Sequence, residues 1–268
     1  MRVGILGKLS KIKTIETMTE MQAFVQSLGY ETETFTQPAD VDGVDVVIVL
    51  GGDGAILHSA LVAARKNIKI IGINYGNLGF LTEYEKNEKE QIKELLSAVE
   101  NGTCGILKRS LLQLTVEGKT YYSLNEISLQ REYGVSEIKP TQILKVEVQS
   151  KEGANTLSGD GLLICTPTGS TAYSLSAGGA ILTPEVPVFM MTPICAFSMR
   201  ARPIVFSDTD EFKLKIVKGK AIVLSDGRVV AALNEGAEIE VKKAPFTADF
   251  PVREVSGFFE KVRNKLNQ

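Results

Sequence analysis

The stretch from Val44 to Lys66, VDVVIVLGGDGAILHSALVAARK, joins the apolar run Val46 to Leu50 to a helix-forming run through three glycines wrapped around one acid. An apolar run too short for a helix and stopped by glycine reads as a strand buried on both faces. Such a strand followed at once by a helix has few places to go. It is the first half of a βαβ unit, whose next strand lies parallel in the same sheet.

The surrounding sequence repeats this alternation. RVGIL reads as a short buried strand. Ile12, Ile15, Met18, Met21, Val25 and Leu28 then recur every three or four residues, which predicts one apolar face of a helix ending at Gly29. YETETF alternates like a strand, IKIIGI is another buried one, and EKEQIKELLSAVENG predicts a helix closing at Gly102. The expectation is an α/β domain over residues 1–102, a parallel sheet with helices on both faces.

After Gly102 the pattern changes. LLQLTVEGKTYYSLNEISLQ reads as two strands around a glycine-containing turn, and QILKVEVQS, FKLKIV, AIVLSDGRVV and AEIEVKK alternate with period two. Residues 103–245 are expected to form a β-rich, sandwich-like domain. In the last segment, 246–268, Phe258, Val262 and Leu266 stand at helical spacing, so the chain ends in an amphipathic helix expected to dock on the first domain.

Composition narrows the function. The 268 residues carry 30 basic and 32 acidic side chains, a formal charge of −2, so no basic field recommends a nucleic-acid partner. No apolar run reaches the ~20 residues of a membrane span, and MRVGILGKLSK lacks the apolar region of a signal peptide. Neither nucleic acid nor membrane is expected as a partner. Cys104, Cys165 and Cys195 have no CxxC spacing and read as reduced, buried thiols of a cytoplasmic protein. With one histidine in the chain, no transition-metal site is expected.

In an open α/β sheet, ligands bind beyond the carboxyl ends of the strands, where the GGDG turn falls. Glycines let backbone N–H groups approach a phosphate, and the following helix turns its positive end toward it. Asp53 would repel a phosphate unless the site also handles a hydroxyl proton or a magnesium ion. That combination points to phosphoryl transfer to an alcohol. GxxxxGK[ST] and GxGxxG are both absent, so neither a P-loop nor a dinucleotide fingerprint explains the turn. The alternative is a strand-to-helix turn with Asp53 as a helix cap.

Two further stretches carry polar groups into apolar surroundings. LNEISL sets Asn125 beside Glu126 inside an apolar strand, where burial needs partners. An Asn can read an adenine edge and a Glu can accept from ribose hydroxyls, unless the pair merely marks a strand end. Because side chains alternate along a strand, both can face one ligand only if the strand ends or kinks there. SGDGLLICTPTGSTAYSLSAGG crowds hydroxyls between glycines directly after the buried run GLLIC. It suits a backbone-lined pocket for a polar, planar ligand, the other reading being a flexible linker.

Together GGDG, NYGNLGFLTE, LNE and DGLLICTPTGSTAYSLSAGG resemble the NAD kinase family in order and spacing, and the likeness extends through TPIC and RPIV, Thr192 to Val205. GGDG alone is shared with phosphofructokinases and diacylglycerol-type lipid kinases. The pairing of NE with TPTGSTAYS is far more specific. The resemblance implies transfer of the γ-phosphoryl of ATP to the 2′-hydroxyl of the adenosine ribose of NAD, with Asp53 as proton acceptor and Gly52 and Gly54 as its neighbours. It implies a basic nucleotide contact at His58, where a surface histidine is the alternative, and an aromatic beside the adenine at Phe80, where a core phenylalanine is. Asn125 and Glu126 match the NAD-contacting pair. Ser158, Asp160, Thr171, Ala172, Tyr173, Ser174 and Ser176 match residues lining the adenine, ribose and nicotinamide sites. Mg²⁺ is expected to arrive with ATP, and a homodimer or homotetramer with pockets at subunit contacts is implied. Ala55 stands where the family often has threonine, and Phe197 where many members have histidine. The rivals are a lipid or sugar kinase using the same GGDG, or a non-catalytic NAD sensor.

Overall fold

The computed structural model describes residues 1–7, 12–75, 79–85, 87–132, 142–252 and 257–266. The chain opens with β1 (Arg2–Gly7), α1 (Ile12–Ser27), β2 (Glu31–Phe35), β3 (Val46–Leu50), α2 (Asp53–Arg65), β4 (Lys69–Asn74), the short β5 (Tyr84–Glu85) and α3 (Lys89–Glu100). The five strands form one parallel sheet in the order β2-β1-β3-β4-β5.

Alternation along the strands explains why helices lie on both faces. Val46, Ile48, Ile71 and Ile73 share a core with Met18, Met21 and Val25 of α1 and with Ile92, Leu95 and Leu96 of α3. The opposite face carries Gly72, where an added Cβ would lie 2.3 Å from Ile56 Cδ1 of α2. That glycine lets α2 pack hard on the sheet. Ile15, expected on the apolar face of α1, is exposed instead. Helix α1 ends before Gly29, whose φ of 89° is left-handed and suits glycine.

The chain continues with β6 (Gly105–Val116), β7 (Lys119–Ser123), β8 (Glu126–Arg131), β9 (Leu144–Ser150), β10 (Gly153–Gly159) and β11 (Gly161–Cys165). A 3-10 turn (Thr168–Thr171) and the one-turn helix α4 (Tyr173–Ser176) follow. Then come β12 (Val188–Ile194), β13 (Ile204–Ser207), β14 (Phe212–Lys218), β15 (Ala221–Ser225), β16 (Arg228–Leu233) and the long β17 (Glu238–Val252). One sheet has the order β10-β9-β14-β17-β6-β7, the other β13-β12-β11-β8-β15-β16. Leu114, Val146, Phe212, Leu214 and Val241 of the first meet Ile127, Leu129, Ile164, Phe189 and Val223 of the second in one buried core. This is a β-sandwich, built from the period-two pattern of its strands. What read as two strands around LLQLTVEGKTYYSLNEISLQ is three, because β7 stops before Asn125 and β8 begins after it.

The C-terminal helix α5 (Phe258–Leu266) closes the described chain. Two compact units emerge, Met1–Arg109 with Phe246–Gln268, and Ser110–Pro245, with limits inside β6 and β17. Helix α5 thus belongs with the parallel sheet, fastened there by Lys261, whose Nζ donates to Thr82 O at 2.9 Å and meets Glu83 at 3.1 Å. Of the three thiols Cys165 is buried, but Cys195, expected inside, is exposed at the end of β12. No described helix is long and apolar enough to cross a membrane.

Candidate active site

In the first unit the strand order reverses direction between β1 and β3, the switch point at whose carboxyl end such sheets bind ligands. The GGDG turn leaves β3 there. Gly52 is extended and Asp53 opens α2. A Cβ on Gly52 or Gly54 would meet nothing within 4 Å among the described residues, which leaves the turn open to them on that side. The first N–H groups of α2 have no partner within the helix, as at any helix start.

Asp53 does not cap α2: no side-chain capping bond forms at that helix start. Its Oδ2 accepts the backbone N–H of Phe80 at 2.8 Å and its Oδ1 that of Leu81 at 2.9 Å. The NYGNLGFLTE motif therefore acts on Asp53, although its residues 76–78 lie outside the described part. Gly79 is required for this grip, since a Cβ there would lie 2.0 Å from Asp53 Oδ1. Three cations attend the same cluster. Lys265 of α5 lies 3.3 Å from Asp53 Oδ2, and Lys261 lies beside Glu83. Arg109 is 4% exposed. Burial lowers its guanidinium to about 10, against the raising influence of Glu83 and Asp53. Phe80 is part of this cluster, its ring centroid 4.2 Å from Lys265 Nζ and 6.3 Å from the Phe258 ring. His58 is exposed on α2.

A second cluster forms in the sandwich, where β7 and β8 are interrupted. Asp226, in the left-handed turn between β15 and β16, accepts three backbone N–H groups with its carboxylate: Leu124 at 2.8 Å, Asn125 at 2.8 Å and Glu126 at 3.1 Å. Thr166 holds the same bend from the other side. Its N–H donates to Asn125 O at 2.9 Å and its hydroxyl to Leu124 O at 2.6 Å. Gly169 passes so close that a Cβ would lie 2.1 Å from Asn125 O. The TPTG turn and the LNE segment are thus one construction.

Glu126 is 7% exposed at the head of β8. Burial first, then repulsion from Asp226, pushes its carboxyl from 4.5 up to about 7, opposed by a hydrogen bond from the Tyr173 backbone. Its Oε2 has no partner among the described residues. Asp226 is raised from 3.8 to about 6 by burial, against its three backbone bonds and Arg228. A buried acceptor left open suits a ligand hydroxyl.

The structure gathers Asn125, Glu126, Thr171, Ala172 and Tyr173 around this bend. Thr171 bonds to Thr168 O at 3.2 Å, and Ala172 N–H to Gly169 O at 3.0 Å. Ser174 is fully buried with its hydroxyl on Thr192 at 3.0 Å, while Ser176 is exposed. Ser158 and Asp160 lie at the far end of β11, where Gly161 pairs with Gln130 while Cys165 pairs with Glu126. Asp160 there meets Arg131 Nε at 3.0 Å. Sequence reasoning missed Asp226, which reads as an ordinary hairpin turn in SDGR, and Lys265, hidden in an amphipathic tail. Asp-Gly is a preferred two-residue hairpin turn, so nothing within that segment marks the acid as more than a turn residue.

Comparison with known proteins agrees across the chain. Residues 3–104 match the ATP-NAD kinase N-terminal domain, and residues 124–251 the ATP-NAD kinase C-terminal domain. An NAD kinase of Methanothermobacter thermautotrophicus is 34% identical over 99% of this chain and 96% of its own length. The crystal structure of an NAD kinase from Archaeoglobus fulgidus in complex with ATP superposes with a TM-score of 0.80 at 26% identity, covering 100% of this chain and 99% of that one. Yeast NADH kinase complexed with NADH shares the fold, with a TM-score of 0.81 at 23% identity over 100% of this chain and 88% of that one. With both domains matched and a relative of this identity spanning nearly the whole length, the chain belongs to the ATP-NAD kinase family.

Proposed function

We propose that this protein is an NAD kinase, transferring the γ-phosphoryl of ATP to the 2′-hydroxyl of the adenosine ribose of NAD. The observation that carries the reading is the Asp53 carboxylate held by the backbone N–H groups of Phe80 and Leu81 at the open glycine turn. A carboxylate fixed so has no rotamer freedom to lose when an alcohol approaches. Asp53 accepts the hydroxyl proton as the oxygen attacks phosphorus, and ADP leaves with the bonding pair. Phosphoryl transfer has a loose transition state, so alignment and charge neutralisation supply most of the acceleration, with general-base help worth about 10² to 10⁴-fold.

Asn125 and Glu126 are the acceptor-binding pair of this reading. The open Glu126 Oε2 supports a bond to a ribose hydroxyl, with Asn125 on the adenine. Thr171, Ala172 and Tyr173 line the same pocket. Among the described residues no group of three or more His, Cys, Asp or Glu side chains could hold a metal ion. In this reading Mg²⁺ would enter with ATP, which would bring most of its ligands, and would supply charge neutralisation. The working form is a homodimer or homotetramer in the cytoplasm, with Asp160 reaching a neighbouring subunit's pocket.

The test is direct. The purified protein is given NAD and MgATP, the NADP formed is measured, and the position of the new phosphate is read by phosphorus NMR. Wild type should form 2′-phosphorylated product, and Asp53→Asn should keep NAD binding while losing at least ~10²-fold in turnover. Near-normal NADP production by Asp53→Asn would refute the assignment of the base. Offering fructose 6-phosphate and diacylglycerol in parallel tests the other GGDG kinases.

A further inference from the structure

Lys265 sets its Nζ 3.3 Å from Asp53 Oδ2 and 4.2 Å from the centroid of the Phe80 ring. Its side chain keeps 25% exposure. It is not what fastens α5, because Lys261 on Thr82 and Glu83, and Phe258 against Phe80, do that independently. The contact with Asp53 is a separate feature of the cluster.

A carboxylate offers about four lone-pair directions. At Asp53 three are engaged: Leu81 N–H at Oδ1, and Phe80 N–H and Lys265 Nζ at Oδ2. The direction that remains is on Oδ1, so a hydroxyl that gives its proton there arrives one carboxyl width from the oxygen that Lys265 holds. The phosphoryl group that joins its oxygen carries charge on three equatorial oxygens, and among the described residues of this cluster two further cations need weighing for it. Arg109 lies too deep to reach it, and Lys261 is engaged by Thr82 and Glu83. Lys265 has three N–H donors, of which Asp53 takes one and the Phe80 face another. The third is available on the exposed side.

We propose that Lys265 is a further catalytic residue of the phosphoryl transfer, holding Asp53 in the free protein and donating to the transferring phosphoryl group during reaction. The proposal rests on the kinase reading above. The acceptor O–H bond breaks and its proton passes to Asp53. The new O–P bond forms, the bond to the β-phosphate breaks, and ADP departs with the electron pair. Lys265 keeps its own proton throughout and acts by charge alone.

The full-length protein tests this with Lys265→Met, which keeps an apolar stem on Phe80, Lys265→Gln as a second neutral variant, and Lys265→Arg. Circular dichroism checks the fold and calorimetry checks NAD binding. Both neutral variants should lose about 10²-fold in kcat, with the KM for NAD changed by less than about twofold. Arginine should recover most of the rate. An undiminished kcat in a folded neutral variant would overturn the proposal, as would an arginine variant no better than methionine. Absence of NADP formation by wild type would instead overturn the kinase reading, and this role with it.

Discussion

Asp226 accepts the backbone N–H of Asn125 at 2.8 Å, across 101 residues of chain. Leu124 and Glu126 donate to the same carboxylate, so one side chain fixes the backbone bend that presents the acceptor-binding pair. Asp226→Ala should leave three partly buried N–H groups without their acceptor and cost about 3 kcal/mol of stability in urea unfolding. The KM for NAD should rise at least ~10-fold while that for ATP changes little. Asn125→Ala should show the same bias without the stability loss. If NAD affinity is unchanged in either variant, this bend does not hold the acceptor.

The raised Glu126 carboxyl gives the fold a pH dependence of definite sign. Folded Glu126 titrates near about 7, against 4.5 ordinarily, because burial and Asp226 disfavour its charge. Between those values the folded state holds the proton more tightly than the unfolded chain. Stability from this group therefore falls as pH rises through that window and levels off above it. Asp226, raised to about 6, acts with the same sign at lower pH. Urea unfolding at about pH 5 and about pH 8 should show wild type losing about 2 kcal/mol more than Glu126→Gln across that interval. Parallel losses in the two proteins would show that Glu126 is not the group responsible.

Gly79 tests the grip on Asp53 without touching the acid. A Cβ at position 79 would stand 2.0 Å from Asp53 Oδ1, so the carboxylate must move. Gly79→Ala should approach the Asp53→Asn rate, about 10²-fold below wild type, while the sandwich and NAD binding persist. A rate close to wild type would mean that Asp53 need not be held by Phe80 and Leu81.

Asp160 lies on the far side of β11 from Thr166, a separation of over ~13 Å along the strand. Inactive Asp53→Asn and inactive Asp160→Ala subunits, mixed and allowed to exchange, should regain part of the activity, because a mixed dimer assembles one intact site. No recovery despite demonstrated exchange would mean that each chain builds its own site, with Asp160 serving only its ion pair with Arg131.

The fold was legible wherever periodicity is a local property. Val46 to Leu50 announces a buried strand because every side chain in it is apolar, and FKLKIV announces a sandwich strand because Phe212, Leu214 and Ile216 alternate with charge. Ile15 misled because helical spacing marks a face but not where the neighbouring elements end. Asp53, Asn125 and Glu126 were legible as polar groups in places hostile to them. Asp226 and Lys265 were not, since each looks ordinary in its own segment. Their meaning lies in partners about a hundred and 212 residues away in sequence.

The chain leaves the first unit along β6 and re-enters it along β17, and these two strands are neighbours in one sheet. This settles the order in which the molecule can assemble economically. In an unfolded chain, bringing Lys265 to Asp53 means closing a very long loop, with the entropic cost that entails. Once the sandwich has formed, β6 and β17 are already side by side, and the loop is in effect closed for the short segment that remains. The expected order is therefore sandwich first, with α5 docking late and refolding paced by distant strand pairing rather than by the helices. Pulse-labelled hydrogen exchange should find sandwich amides protected before those of α5, and the reverse order would exclude this route.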